Sequence, residues 1–132
     1  MNDLVPFNKL NLNPKDNRSA DCVIRAIAYA TKETWEDTYR NLAEFGIKQG
    51  RILNEKQCYS KFLKKLGWNK QKAIRDLNNK RITINELAKT LHEGVYIVHT
   101  KKHLTIIDNG QVVDNWDTRF ELSGVYYSLE DE

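Results

Sequence analysis

The dipeptide Asn109-Gly110 constrains the fold more than any other feature of the chain. Both central residues of a two-residue hairpin turn need positive φ, and Asn and Gly reach it at low cost. His103-Leu104-Thr105-Ile106-Ile107 precedes the dipeptide and Gln111-Val112-Val113-Asp114 follows it, so two antiparallel strands are predicted. Val95-Tyr96-Ile97-Val98 and Val125-Tyr126-Tyr127-Ser128-Leu129 have the β-branched and aromatic content of further strands. Upstream the apolar period is helical. Ile24, Ile27 and Ala28 form one stripe, and Trp35, Tyr39, Leu42 and Ala43 a second, ending at Gly46. Cys58, Phe62, Leu63 and Leu66 form a third, stopped by Gly67. Thr83-Ile84-Asn85-Glu86 is a capping box that opens a short helix through Leu87, Ala88 and Leu91. Asp21 or Ser19 is a candidate cap for the first helix. Helices then strands, without alternation, predict an α+β fold with helices packed on an antiparallel sheet. The 132 residues make one domain. It divides into an extended lead-in (1–20), a mainly helical part (21–94) and the sheet (95–129).

Hydrophobic residues make up 40% of the chain and charged residues 30%, an ordinary balance for a globular domain. No apolar run approaches the length of a membrane span, and Met1-Asn2-Asp3-Leu4 lacks the start of a signal peptide, so a cytoplasmic location without membrane partners is expected. Cys22 and Cys58 are then expected to be reduced. Two cysteines and three histidines without close pairing argue against a zinc site, and no cofactor is called for. The net charge of +3 permits an acidic partner without demanding one. Residues 68–82 read as basic and irregular. With Lys61, Lys64 and Lys65 they form a Lys61–Arg81 region that is either a solvated surface or a face for an acidic or nucleic-acid partner. Aromatic residues for base stacking are sparse there. Oligomeric state leaves no mark in the sequence.

Cys22 follows a polar, turn-rich run and stands where the first helix begins. A thiol there meets unpaired backbone N–H groups and the positive end of the helix dipole, and both favour the nucleophilic thiolate. The plainer reading is a small buried hydrophobe, and that reading fits Cys58, inside an amphipathic helix. The hairpin supplies the rest of a reactive constellation. With a two-residue turn, Ile107 faces Val112, Thr105 faces Asp114 and His103 faces Trp116. His103, Thr105, Val112, Asp114 and Trp116 then share one face, and Leu104, Ile106 and Val113 the other. His103 and Asp114 become diagonal neighbours within reach of an imidazole–carboxylate hydrogen bond, with Trp116 as its shield. A three-residue turn would instead place Asn115 beside His103. His92, near a helix end, and His99, at the end of the preceding strand, are weaker candidates for a base because the hairpin gives neither a carboxylate.

Cys22 at a helix start, His103 at a strand start, and Asp114-Asn115-Trp116 on the next strand resemble the papain-like cysteine peptidase superfamily. The order is similar to its bacteriocin-processing branch, whose third member is Asp. The resemblance implies a papain-like fold, a Cys22-His103-Asp114 triad, and a Trp116 that covers the orienting group. The family's oxyanion-holding Gln falls at Asp16 here, so the implied donors become Asn17 and the Cys22 N–H. Val23 stands where the family has Gly, and the chain lacks the family's larger insertions. Arg25, one turn into the helix, is expected to pair with Asp21 or Asp16, or else to touch substrate.

Two function classes follow. The first is a cysteine hydrolase or acyl transferase acting on a peptide, isopeptide or side-chain amide bond of a protein or peptide substrate. The second is a catalytically silent binding protein on the same scaffold that inhibits a host protein or nucleoprotein complex. Small Lys- and Asn-rich domains of this sort resemble phage or mobile-element products.

Overall fold

A computed structural model describes residues 3–129. In chain order it has β1 (Phe7–Lys9), α1 (Cys22–Thr31), α2 (Trp35–Gln49), α3 (Lys56–Lys65), β2 (Trp68–Gln71), α4 (Ile84–Thr90), β3 (Val95–His99), β4 (Leu104–Asp108), β5 (Gln111–Asp114) and β6 (Tyr126–Leu129). The architecture is α+β, with six strands in the order β1-β5-β4-β3-β6-β2.

The hairpin forms as the dipeptide requires. Asn109 and Gly110 take φ of 51° and 83°, and Asp108 pairs with Gln111, Ile107 with Val112 and Ile106 with Val113. The sheet is covered on both sides. Leu104, Ile106 and Val113 belong to a core with Ile24, Ile27, Leu42 and Leu63 from α1, α2 and α3. Ile107, Val112 and Val98 pack on Ile84, Leu87 and Ala88 of α4. Two-sided coverage explains why β4 is buried continuously from Leu104 to Ile107.

Several local expectations are corrected. The sheet is mixed, because the lead-in contributes β1, which pairs parallel to β5 with Lys9 opposite Asp114. Residues 68–71 are a strand, β2, antiparallel to β6. Its residues Trp68-Asn69-Lys70-Gln71 hold one buried aromatic and three polar groups, too few apolar positions to show an alternation. Helix α2 runs through Gly46 and ends at Gly50, which takes the left-handed cap at φ 67°. Gly46 is there for space, since a Cβ would lie 2.7 Å from the Arg51 carbonyl oxygen. The Thr83–Glu86 capping box is formed. Asp21 occupies the N-cap of α1 but its side chain makes no capping bond.

Candidate functional site

Cys22, His103 and Asp114 converge where the N-terminus of α1 meets the open end of the β4–β5 hairpin. The β4–β5 ladder stops at Ile106–Val113, so His103 and Asp114 lie beyond it. The strict alternation of faces no longer binds them there. Thr105 stays with the α4 side, its hydroxyl 2.9 Å from that of Thr118, whereas the Asp114 carboxylate reaches Arg25 on α1. The expected common face is therefore corrected, while the expected pair within it forms. His103 Nε2 is 2.6 Å from Asp114 Oδ2, and both side chains are buried. That bond leaves Nδ1 as the ring nitrogen open to Cys22.

Asp114 is fixed from three sides. Leu10 N–H of the lead-in donates to its carbonyl at 2.8 Å. Its Oδ1 accepts from Arg25 Nη1 at 3.1 Å and from the Asn115 N–H at 2.6 Å. Asp114, and not Asn115, is thus the partner of His103. Arg25 is only 7% exposed, and its Nε donates to Asp21 Oδ1 at 2.9 Å. Asp16 takes no part, being bonded to Asn11 at 3.3 Å. The second oxygen of Asp21 accepts from Asn13 Nδ2 at 3.1 Å and Trp35 Nε1 at 2.9 Å. These bonds explain why Asp21 does not cap its own helix. A buried cation needs this many acceptors, and each partner satisfies lone pairs that water would otherwise hold.

The electrostatics of the thiol and the ring oppose their burial. Burial raises the Cys22 pKa, but the His103 ring, the Leu104 backbone N–H and the charge of Arg25 outweigh it, and the thiol falls below its usual value. Burial lowers the His103 pKa, but Asp114 and then Cys22 outweigh it and push the ring up to about 9. The two groups therefore favour the thiolate–imidazolium form. Cys58 is the contrast: it is fully buried in the core, and burial and Glu55 raise its pKa.

Trp116 stacks on His103 with ring centroids 4.1 Å apart and planes at 34°. It also lies 6.0 Å from the Arg25 guanidinium carbon. Trp116 is 44% exposed, and its Nε1 donates to Glu121 Oε2 at 3.3 Å. Cys22, His103 and Trp116 line a cleft of ≈ 410 Å³ whose walls include Ser19, Tyr59 and His99.

Asn17 is a correction. It is exposed, does not line the cleft, and accepts a bond from Asn11 at its own backbone carbonyl. Asn13 holds Lys15 N–H and Asp21 with its side chain, and Asn17 lies in the exposed segment between those two residues. What remains for an oxyanion is the start of α1, where the absence of a side-chain cap leaves backbone N–H groups open beside Cys22.

His99 and Tyr59 line the cleft although no sequence signal paired them. The Tyr59 hydroxyl donates to His99 Nε2 at 3.0 Å, and Nδ1 bonds to the Thr100 carbonyl. His99 is thereby committed on both nitrogens. His92 is exposed at the end of α4, with Nδ1 3.4 Å from the Thr90 carbonyl. Among the described residues, no cluster of three or more His, Cys, Asp or Glu could hold a metal ion, and no helix is long and apolar enough to cross a membrane.

Comparison with known proteins adds nothing to this geometry: no family model, curated protein or solved structure matches the chain.

Proposed function

We propose that the chain is a papain-like cysteine hydrolase or acyl transferase that acts on a peptide, isopeptide or side-chain amide bond. The observation that carries this reading is the occupation of His103 Nε2 by Asp114. It fixes the tautomer and leaves Nδ1 to exchange a proton with Cys22. In the first step the Cys22 thiolate attacks the amide carbonyl carbon. A C–S bond forms and the carbonyl electron pair moves onto oxygen. The Cys22 N–H, at the uncapped start of α1, receives that oxyanion. The oxyanion collapses, the C–N bond breaks, and His103 Nδ1–H protonates the departing nitrogen, leaving a thioester. Water then gives its proton to Nδ1, attacks the thioester and releases the acid, with the electron pair of the C–S bond returning to sulfur. An amine in place of water makes the reaction a transfer. A glutamine side chain as substrate makes it a deamidation that releases ammonia.

Alkylation tests the reading directly. At pH 6 a thiolate-selective reagent labels Cys22 much faster than Cys58. Equal, slow labelling of both thiols overturns it. The substitution Cys22→Ala removes turnover with the fold intact.

A second reading, a silent binding protein, draws on a different surface. Lys61, Lys64 and Lys70 border a groove of ≈ 540 Å³ between α3 and β2, floored by Trp68 and Tyr127. Persistence of the biological effect in Cys22→Ala, together with salt-sensitive binding of a nucleic acid, selects this reading.

A further inference from the structure

The cleft at Cys22 carries a charge pattern that the triad does not use. Lys56 and Lys102 line it on the side of His99 and Tyr59. Past Trp116 it continues into a second depression of ≈ 440 Å³, which shares Ser19, Ala20, Arg25 and Trp116 with the first and adds Arg18 and Asn115. Among the described residues no Asp or Glu lines either part. Asp21 and Asp114, beside the cleft, are buried and bonded to Arg25 and His103, and Glu121 at the rim accepts from Trp116 Nε1 at 3.3 Å. Arg18, Lys56 and Lys102 are exposed, and none forms an ion pair with a described carboxylate.

Of these cations, Lys56 is felt at His99, together with Lys70 and Arg81 from outside the cleft. Burial lowers the His99 pKa, the Thr100 carbonyl opposes it, and Lys56, Lys70 and Arg81 push it down further. A concave site lined by one sign of charge concentrates field lines and draws in the opposite charge.

We infer that the cleft takes a peptide segment with acidic residues on both sides of the reacting amide, held by Lys56 and Lys102 at one end and by Arg18 at the other. The inference rests on the reading of Cys22 as a reactive thiolate. A peptide fits better than a nucleic acid for two reasons. Of the aromatic residues that line the cleft, Trp116 spends one face on His103 and Tyr59 is buried, so successive bases find no row of free rings to stack on. The nucleophile that the cleft exposes suits an acyl carbon, not a phosphodiester.

Protection of Cys22 from iodoacetamide tests this with simple probes: hexaglutamate, hexalysine and a short oligothymidylate. Hexaglutamate is expected to slow alkylation of Cys22 at low salt, with the effect fading as salt rises; hexalysine leaves the rate unchanged. The double substitution Lys56→Glu, Lys102→Glu weakens hexaglutamate protection by about tenfold or more. Lys89→Glu, on α4 across the sheet, keeps it. Fast labelling of Cys22 without hexaglutamate protection overturns the inference and leaves the proposed chemistry standing. Protection by oligothymidylate but not by hexaglutamate overturns it in favour of a nucleic-acid groove. Labelling of Cys22 as slow as that of Cys58 overturns both proposals.

Discussion

Arg25 and His103 hold opposite oxygens of one carboxylate, that of Asp114, at 3.1 Å and 2.6 Å. The carboxylate therefore has no freedom to rotate away from the ring. Arg25 is in turn tied to Asp21, so the orienting group is braced by the helix that carries the thiol. A buried carboxylate shared by two cations is costly to break and stiff while intact.

Asp114→Asn keeps the shape of that contact and removes its charge. His103 then loses the interaction that raises it to about 9, and its pKa drops toward the ordinary value or below, because burial is no longer opposed as strongly. With less imidazolium beside it, Cys22 becomes more thiol-like. Alkylation of Cys22 at pH 6 is expected to slow by roughly tenfold or more, a shift of about one pKa unit. Rates from pH 4 to 10 check this.

The pH dependence has a definite sign. Turnover is expected to rise on the acid side as Cys22 reaches its lowered pKa, and to fall on the alkaline side as His103 loses its proton near pH 9. Stability follows the same groups. The raised His103 pKa contributes stability that is complete below the unfolded value of 6.5 and is lost as pH rises through about 9. The lowered Cys22 pKa contributes stability present above the unfolded value of 9.0 and lost as pH falls through its folded value. In urea unfolding, the stability gap between the wild type and His103→Gln is expected to narrow between pH 6.5 and 9.

Trp116→Ala separates shielding from folding. The ring is 44% exposed, so stability falls by roughly 1 kcal/mol or less. The His103–Asp114 bond, however, gains access to water. A loss of turnover by several-fold with a nearly unchanged melting temperature is expected. An equal loss in both quantities would assign Trp116 to the core instead.

Cys58→Ala does the reverse. The side chain is fully buried, with its sulfur 3.5 Å from the position of a Cβ on Gly46. Its removal costs roughly 1–2 kcal/mol by denaturant unfolding, and the alkylation rate of Cys22 does not change.

Gly46→Ala forces a Cβ to 2.7 Å from the Arg51 backbone oxygen, which cannot swing aside as a side chain could. A loss of roughly 1–3 kcal/mol is expected, read as a fall in melting temperature with the spectrum of the folded state retained.

The hairpin was legible because Asn109-Gly110 dictates a backbone that few other pairs adopt, and register follows from it. The helices were legible from apolar spacing and, for α4, from the Thr83–Glu86 box. Other features lay outside what local pattern encodes. β1 is three residues, Phe7-Asn8-Lys9, and its pairing with β5 is a contact across the whole chain. β2, Trp68-Asn69-Lys70-Gln71, has a single apolar residue, and its partner strand β6 lies far away in sequence. Within the site, Cys22, His103 and Asp114 could be named from the helix start and the hairpin. The reach of Arg25 to Asp114 could not, because it spans 89 residues and no spacing rule connects them. Asn17 was implied only by the resemblance, beside the family's Gln position at Asp16, and in the fold it is exposed with its carbonyl bonded to Asn11.

The parallel pairing of β1 with β5 has a consequence for synthesis. β1 is made well before β5 and must wait for it to find its neighbour, and Asp114 gains its backbone anchor only then. Until that moment a nascent chain carries Cys22 without a base beside it. The thiol acquires its lowered pKa only as the sheet closes around it.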